Sequence, residues 1–257
     1  MSKVTFEKKG SLAEIRLINP GKLNALTRQM IESLYIHCVT IESDQDIRTV
    51  LLTAEGDRAF CVGADIQDWA NLNARTFARN WVKLGHRVFD RIARLPVPVI
   101  AVISGHALGG GLELAASCDL RVATPRTTFG LPETGVGIVP GWSGTQRLAR
   151  QIPHAVLKEM VFTGTRISAE RAYQIGFLNA IANDPKGLSI ELAKNITATA
   201  PQATEITKMM LASAIGEDVG ASIEAIASTA MAPTAEKTEG VNAFFEKRKP
   251  QFGKNSN

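Results

Sequence analysis

The chain has 257 residues, of which 45% are hydrophobic and 21% are charged. This composition is typical of an ordinary soluble globular protein and excludes disordered, collagen-like and coiled-coil chains. Lysine and arginine total 29 against 25 acidic residues, and the formal charge of +4 is too small and scattered to indicate a nucleic-acid or membrane surface. The length suits one large domain, or a domain with a smaller appendage.

Strand and helix patterns alternate over the first two thirds of the chain. The predicted strands are residues 4–7, 13–18, 49–53, 99–103 and 118–123, the first two forming a hairpin. Helical spacing predicts helices from an N-cap at Thr27, around 77–95, and from Gly111 through Ala116. This alternation predicts an α/β core with parallel strand pairing.

From about Ala169 the strand pattern fades. Helical patterns follow one another at residues 169–175, 190–199, 201–215, 222–231 and 238–247. We therefore expect an α/β body over residues 1–190 and a helical C-terminal part over residues 191–257, with a frayed tail at 253–257.

Three cysteines, Cys38, Cys61 and Cys118, stand far apart in the sequence and form neither a metal-binding spacing nor a disulfide framework. We expect buried thiols in a reducing compartment and no metal site. The first residues show no signal-peptide pattern, and no apolar run reaches the ~18 residues that a membrane-spanning helix needs. The sequence predicts a cytoplasmic protein.

The first candidate functional segment is residues 59–66, which follow a predicted strand and contain several small residues. A helix start at Asp65 would expose backbone N–H groups that can bind an anion or a polarised carbonyl. Taken alone, the segment is more typical of an ordinary strand-to-helix turn.

A second segment, residues 105–114, contains three consecutive glycines, Gly109 to Gly111, at the end of a buried strand. Glycines allow backbone to approach a ligand closely, and the following helix directs its N-terminal donors there. The spacing matches neither the dinucleotide fingerprint nor the P-loop. Glu113 lies in the first helical turn, where a carboxylate is also favoured for purely structural reasons.

The third segment, residues 129–144, places Glu133 in a loop dense in glycine and proline. A long loop of this kind is uncommon unless it has a function, although Glu133 alone could be a surface carboxylate. Two carboxylates can hold and exchange protons with one water, and backbone donors can stabilise a developing enolate oxygen. Addition of water across a carbonyl-conjugated double bond needs both, but the residues alone do not show that these segments meet.

In their order and spacing, these segments resemble the enoyl-CoA hydratase/isomerase (crotonase) family. The matching stretches are residues 24–26, 59–61, 63–66, 107–114, 129–133, 137–141, 144–148, 163–164, 172, 176 and 239–245. The likeness covers nearly the whole chain.

The resemblance implies a ββα superhelix whose helical C-terminal region forms homotrimers, often paired into hexamers. It implies acyl-CoA thioesters as substrates and no separate cofactor. The backbone N–H groups of Ala64 and Gly110 would form the oxyanion hole. Glu133 would deliver the α-proton, and Glu113 would activate the water that attacks the β-carbon.

The family pattern also implies further substrate contacts. Candidates are Lys22, Leu23, Ala25, Asp65, Ile66 and Gly141, with Lys247 as a second possible phosphate contact. Trp142 is a further candidate, although it is not part of the family pattern. Retention of both glutamates favours water addition over isomerisation. An isomerase, a dehydratase of a modified acyl-CoA and a non-catalytic CoA-binding member remain alternatives.

One departure from the family pattern is Trp142-Ser143, where small residues are common. The tryptophan could narrow the acyl pocket, stack on an aromatic acyl group, or cover the loop from outside.

Overall fold

The computed structural model describes residues 2–252. Its strands, in chain order, are β1 (Lys3–Lys9), β2 (Leu12–Ile18), β3 (Thr49–Ala54), β4 (Ala59–Cys61), β5 (Val99–Ile103), β6 (His106–Leu108), β7 (Leu120–Ala123), β8 (Thr128–Gly130), β9 (Ile167–Ser168) and β10 (Ala180–Ile181). The five predicted strands are confirmed as β1, β2, β3, β5 and β7. The other five strands, which are only two or three residues long, are not predicted from the sequence.

Two sheets are formed by these strands. The larger sheet has the order β1-β2-β3-β5-β7-β10, and the smaller has the order β4-β6-β8-β9. The predicted hairpin of β1 and β2 is antiparallel, whereas β2, β3, β5, β7 and β10 pair in parallel. In the smaller sheet β4, β6 and β8 are parallel, and β9 is antiparallel to β8.

The chain moves between the two sheets in a repeating way. Each of the pairs β3/β4, β5/β6 and β7/β8 places one strand in each sheet and is followed by helical segments. This is the ββα superhelix that the family resemblance implies, and the predicted α/β fold with parallel pairing is confirmed.

The helices, in chain order, are α1 (Arg28–Ser43), α2 (Ala74–Thr76), α3 (Lys83–Ala93), α4 (Gly110–Ala116), α5 (Gly144–Gln151), α6 (His154–Thr163), α7 (Ala169–Gln174), α8 (Pro185–Thr197), α9 (Pro201–Ala214), α10 (Val219–Met231) and α11 (Ala235–Phe245). A π-helical stretch, Phe77–Val82, leads into α3. The predicted N-cap is confirmed, because the Thr27 hydroxyl accepts a hydrogen bond from the Met30 amide. None of the helices within residues 2–252 combines the length and hydropathy that a bilayer crossing requires.

Two compact units make up the chain, Met1–Glu205 and Ile206–Asn257. The division falls later than the expected boundary at 190/191, because α8 belongs to the first unit. Its residue Ala193 is buried together with Leu51, Ile100 and Val122 of the larger sheet. The expected frayed tail, 253–257, lies outside the described residues.

The main core of the first unit lies between its helices and sheets. Apolar residues of α1 (Met30, Ile31 and Leu34) and α3 (Val88 and Phe89) are buried in it. The expectation of buried thiols is confirmed for Cys38, Cys61 and Cys118. The second unit leaves several large apolar side chains exposed, among them Leu211, Ile223, Phe244 and Phe245.

Candidate active site

Three loops meet at one edge of the smaller sheet. Because β4, β6 and β8 are parallel neighbours, their carboxyl ends lie at the same edge. Residues that follow these strands, Ala64, Gly110 and Glu133, line a single cavity of about 180 Å³ together with Glu113. The three segments that contain the candidate functional residues are therefore close together in space.

Glycines allow the loops after β4 and β6 to approach closely. A Cβ atom on Gly63, where φ is +101°, would lie 3.1 Å from the Gly110 nitrogen. A Cβ on Gly111 would lie 2.0 Å from the carbonyl oxygen of Cys61. Among the hydrogen bonds within residues 2–252, none is donated by the amide of Ala64 or Gly110. Both amides are therefore available to a ligand that enters the cavity.

The turn after β4 is braced by an earlier part of the chain. The Leu26 amide donates to Gly63 O at 2.7 Å, and the Asp65 amide donates to Leu26 O at 2.8 Å. The buried Asn24 side chain donates to the carbonyl oxygens of Glu55 and Ala59 at 2.9 and 2.8 Å. The 24–26 stretch of the family pattern thus has a structural role here.

Glu113 is almost fully buried, with 2% of its surface exposed. Its Oε1 accepts hydrogen bonds from the amides of Trp142 and Gly144, both at 2.8 Å. Burial raises the pKa of Glu113, and these amides and the positive charge of Arg147 oppose that rise. The pKa of Glu113 is raised overall, and the turn that contains Trp142 and Gly144 limits the rise.

Glu133 has a different environment. It is 8% exposed, and its Oε2 is buried without a hydrogen-bond partner among residues 2–252. Burial, together with the nearby charge of Glu113, raises the pKa of Glu133 to about 7. A carboxyl group with this pKa can both give and take a proton at neutral pH. The two acids are thus held in unlike environments on one cavity.

Trp142 forms part of the cavity wall. Its ring is 4% exposed and packs on Trp81 and Phe89, with centroid distances of 5.6 and 5.2 Å. The ring lies against two glycines, since a Cβ on Gly85 would be 2.3 Å from its Nε1 and one on Gly110 would be 2.6 Å from its Cζ3. The alternative that this residue covers the loop from outside is wrong.

The rest of the apolar wall is not predicted from the sequence. Trp69, Phe77, Trp81 and Val82 line the cavity, and three of these four belong to the π-helical stretch Phe77–Val82. The available signal was the i, i+4 spacing of Phe77 and Trp81, which indicates one helix face but not what that face covers.

The remaining candidate residues separate into two groups. Ile66 and Gly141 line the cavity, whereas Lys22, Leu23, Ala25 and Asp65 do not line it within the described residues. Lys22 Nζ donates to Asp65 Oδ2 at 2.6 Å and to Gln67 Oε1 at 2.7 Å, and its side chain is 46% exposed.

Two further expectations concern Lys247 and metal binding. Lys247 belongs to the second unit. No group of three or more His, Cys, Asp or Glu side chains in residues 2–252 is arranged to hold a metal ion.

Comparison with known proteins gives the same family as the sequence pattern. The enoyl-CoA hydratase/isomerase family profile matches residues 7–255. The chain belongs to this family. It is 35% identical to a short-chain-enoyl-CoA hydratase of Clostridium acetobutylicum, over 99% of both chains. It is also 35% identical to a crotonyl-CoA hydratase of Syntrophomonas wolfei, over 97% of both chains.

A solved structure supports the fold assignment. The crystal structure of an enoyl-CoA hydratase from Bacillus anthracis has a TM-score of 0.81 and 33% identity, and the match covers 97% of this chain and 98% of that one. Since the family name includes both hydratases and isomerases, the arrangement of the acids is needed to choose between the two reactions.

The contact between Gly85 and Trp142 can be tested by substitution. Gly85→Ala should lower the free energy of unfolding by about 1–2 kcal/mol, because crowding the indole costs more than the helix gains from alanine. Urea denaturation measures the change. Gly220→Ala is the matched control, since this helical glycine has open space around it. A Gly85→Ala protein as stable as the parent would contradict the packing described here.

Proposed function

We propose that the protein is an enoyl-CoA hydratase, which adds water reversibly to a trans-2-enoyl-CoA and yields a 3-hydroxyacyl-CoA. The observation that carries this proposal is the presence of two buried carboxyl groups, Glu113 and Glu133, on one cavity with two unpaired backbone amides. The names of the relatives support the same reaction.

The backbone amides of Ala64 and Gly110 bind the thioester oxygen. Negative charge grows on this oxygen as the attack on the β-carbon turns the thioester into an enolate. Amide donors fixed in a cavity with little water stabilise that charge more strongly than solvent does. The close approach of Gly63 to Gly110 brings the two donors together.

The two acids divide the proton transfers between them. Ionised Glu113, whose Oε1 is held by two amides, accepts a proton from water as the water oxygen bonds to the β-carbon. Glu133 holds a proton below pH 7 and delivers it to the α-carbon. One proton leaves the pair as one enters, so the pair carries a single proton before and after the reaction.

The acyl group that fits this cavity is short and apolar. Trp81 and Trp142, both nearly fully buried, and Phe77 form an apolar wall around a space of about 180 Å³. Lys22 remains the candidate for contact with a CoA phosphate, supported by the family pattern and by a side chain that is 46% exposed. The assembly, a homotrimer or homohexamer, and the absence of a separate cofactor are proposed from the family resemblance. The cytoplasmic location is proposed from the sequence pattern.

Replacing either acid tests its role. Glu113→Gln and Glu133→Gln should each lower kcat for crotonyl-CoA hydration by about 10²–10⁴-fold, since each removes a proton-transfer group while preserving the shape of the side chain. Loss of enoyl-thioester absorbance measures the rate. Glu159→Gln, on the exposed face of α6, is the matched control. Near-normal turnover in either site variant would refute the assigned role.

An isomerase would give a different result in the same assay. Unchanged enoyl absorbance with crotonyl-CoA, together with conversion of a 3-enoyl-CoA, would favour isomerisation. Activity with neither substrate would favour a dehydratase of a modified acyl-CoA or a non-catalytic CoA-binding protein.

The raised pKa of Glu133 predicts a pH dependence. Below a pKa of about 7 the Glu133 carboxyl is protonated, and above it the pair loses the one proton that the reaction needs. We therefore expect kcat/KM for hydration to fall as the pH rises through about 7. Dehydration, the reverse reaction, also needs the Glu113/Glu133 pair to carry one proton. Its kcat/KM should therefore also fall as the pH rises through about 7. A kcat/KM that stays constant between about pH 6 and 9 would contradict this prediction.

Acyl length provides another test. Decenoyl-CoA should react with a kcat/KM at least about tenfold below that of crotonyl-CoA, because overfilling an aromatic cavity costs on the order of 1–3 kcal/mol. Trp142→Phe, which replaces the indole with a smaller aromatic ring, should reduce the difference in kcat/KM between the two esters. Equal values for both esters in the unmodified protein would show that the cavity does not limit acyl length.

A further inference from the structure

Ser143 has an unusual backbone conformation. It lies between the two residues whose amides bind Glu113, and its φ of 71° is in the left-handed region. This region is unfavourable for residues other than glycine, with asparagine and aspartate the commonest exceptions. Ser143 is nevertheless buried there, at 7% exposure. Its side-chain contacts indicate what holds it in place.

The Ser143 hydroxyl joins a polar network on α3. Its Oγ lies 2.8 Å from His86 Nδ1 and donates to Asp90 Oδ1 at 3.3 Å. His86 Nε2 lies 3.2 Å from Asp90 Oδ2, one helical turn along α3. Arg147, which is buried on α5, also donates to Asp90 Oδ1. The turn is thereby attached to α3 through Ser143. Helix α5, which begins at Gly144, is attached to α3 through Arg147.

The left-handed residue is also what directs the flanking amides. A turn that contains a left-handed residue can form a concave arrangement of N–H groups that binds anions. Here the amides on either side of Ser143 converge on the same carboxylate oxygen of Glu113, each at 2.8 Å. A shift of the turn would therefore weaken both hydrogen bonds together.

We propose that Ser143, His86 and Asp90 are positioning residues that hold Glu113 for its part in the hydration reaction. This inference depends on the proposed function. Glycine would adopt the left-handed conformation without strain but would leave the turn unattached to α3. Serine is strained in this conformation but attaches the turn to α3, because its hydroxyl contacts His86 and Asp90.

The test compares kcat and KM for crotonyl-CoA hydration in Ser143→Ala, His86→Ala and the double variant. Each single variant should lower kcat about tenfold and change KM by less than about twofold, because a misplaced base slows the reaction while the thioester contacts remain. The double variant should be no slower than the slower single variant, because both changes release the same turn. Arg87→Ala, an exposed neighbour on α3, is the control and should match the parent.

A second substitution separates the effect of backbone strain at residue 143 from the effect of its attachment to α3. Ser143→Gly removes the hydroxyl but suits the left-handed backbone, so the protein should fold normally and still show the lowered kcat. Wild-type kcat in Ser143→Gly, Ser143→Ala or His86→Ala would overturn the proposal, as would losses that add in the double variant.

The assay distinguishes failure of this inference from failure of the proposed function. If the unmodified protein does not hydrate crotonyl-CoA or any other 2-enoyl-CoA, the proposed function fails, and the positioning role fails with it. If the unmodified protein hydrates an enoyl-CoA and the variants match it, only the positioning role is overturned.

Discussion

The burial of Glu113 is the constraint on which the rest of the site depends. An ionised carboxylate taken out of water costs several kcal/mol unless it is hydrogen-bonded. Here the compensating donors come from a turn about thirty residues later in the chain, at Trp142 and Gly144. Helix α4 and that turn therefore stabilise each other, and Gly144 has no side chain because Glu113 Cγ occupies the space where one would start.

The smaller sheet brings the parts of the site together, although its strands are very short. Strands β4, β6 and β8 end at one edge, and each is followed by a residue that lines the cavity. The spacing between the loops after β4 and β6 is set by glycine, since a Cβ on Gly111 would overlap Cys61 O. A side chain at Gly63 or Gly111 would push apart the loops that contain the Ala64 and Gly110 amides.

The aromatic wall affects both the shape of the cavity and its acid–base chemistry. Trp81 and Trp142 pack on each other and form part of the wall of the cavity that the two acids also line. Burial of Glu133 in this cavity is the main reason that its pKa is raised to about 7. Because the aromatic wall and both acids line one cavity, a more open wall would change the space for the acyl group and the exposure of the acids together.

The sequence by itself determined the α/β class, the longer strands and most of the longer helices, although not α5 or α6, because these elements leave local periodicity. It also singled out the glycines and acids as candidates, but only the family resemblance assigned them to one site. The sequence did not determine β4, β6 and β8, since three residues show no period and their pairing depends on distant strands. Tertiary structure alone decided that Trp142 forms the cavity wall and that Ser143 meets His86 and Asp90. These contacts join residues more than fifty positions apart, and a linear pattern carries no information about which distant surfaces pack together.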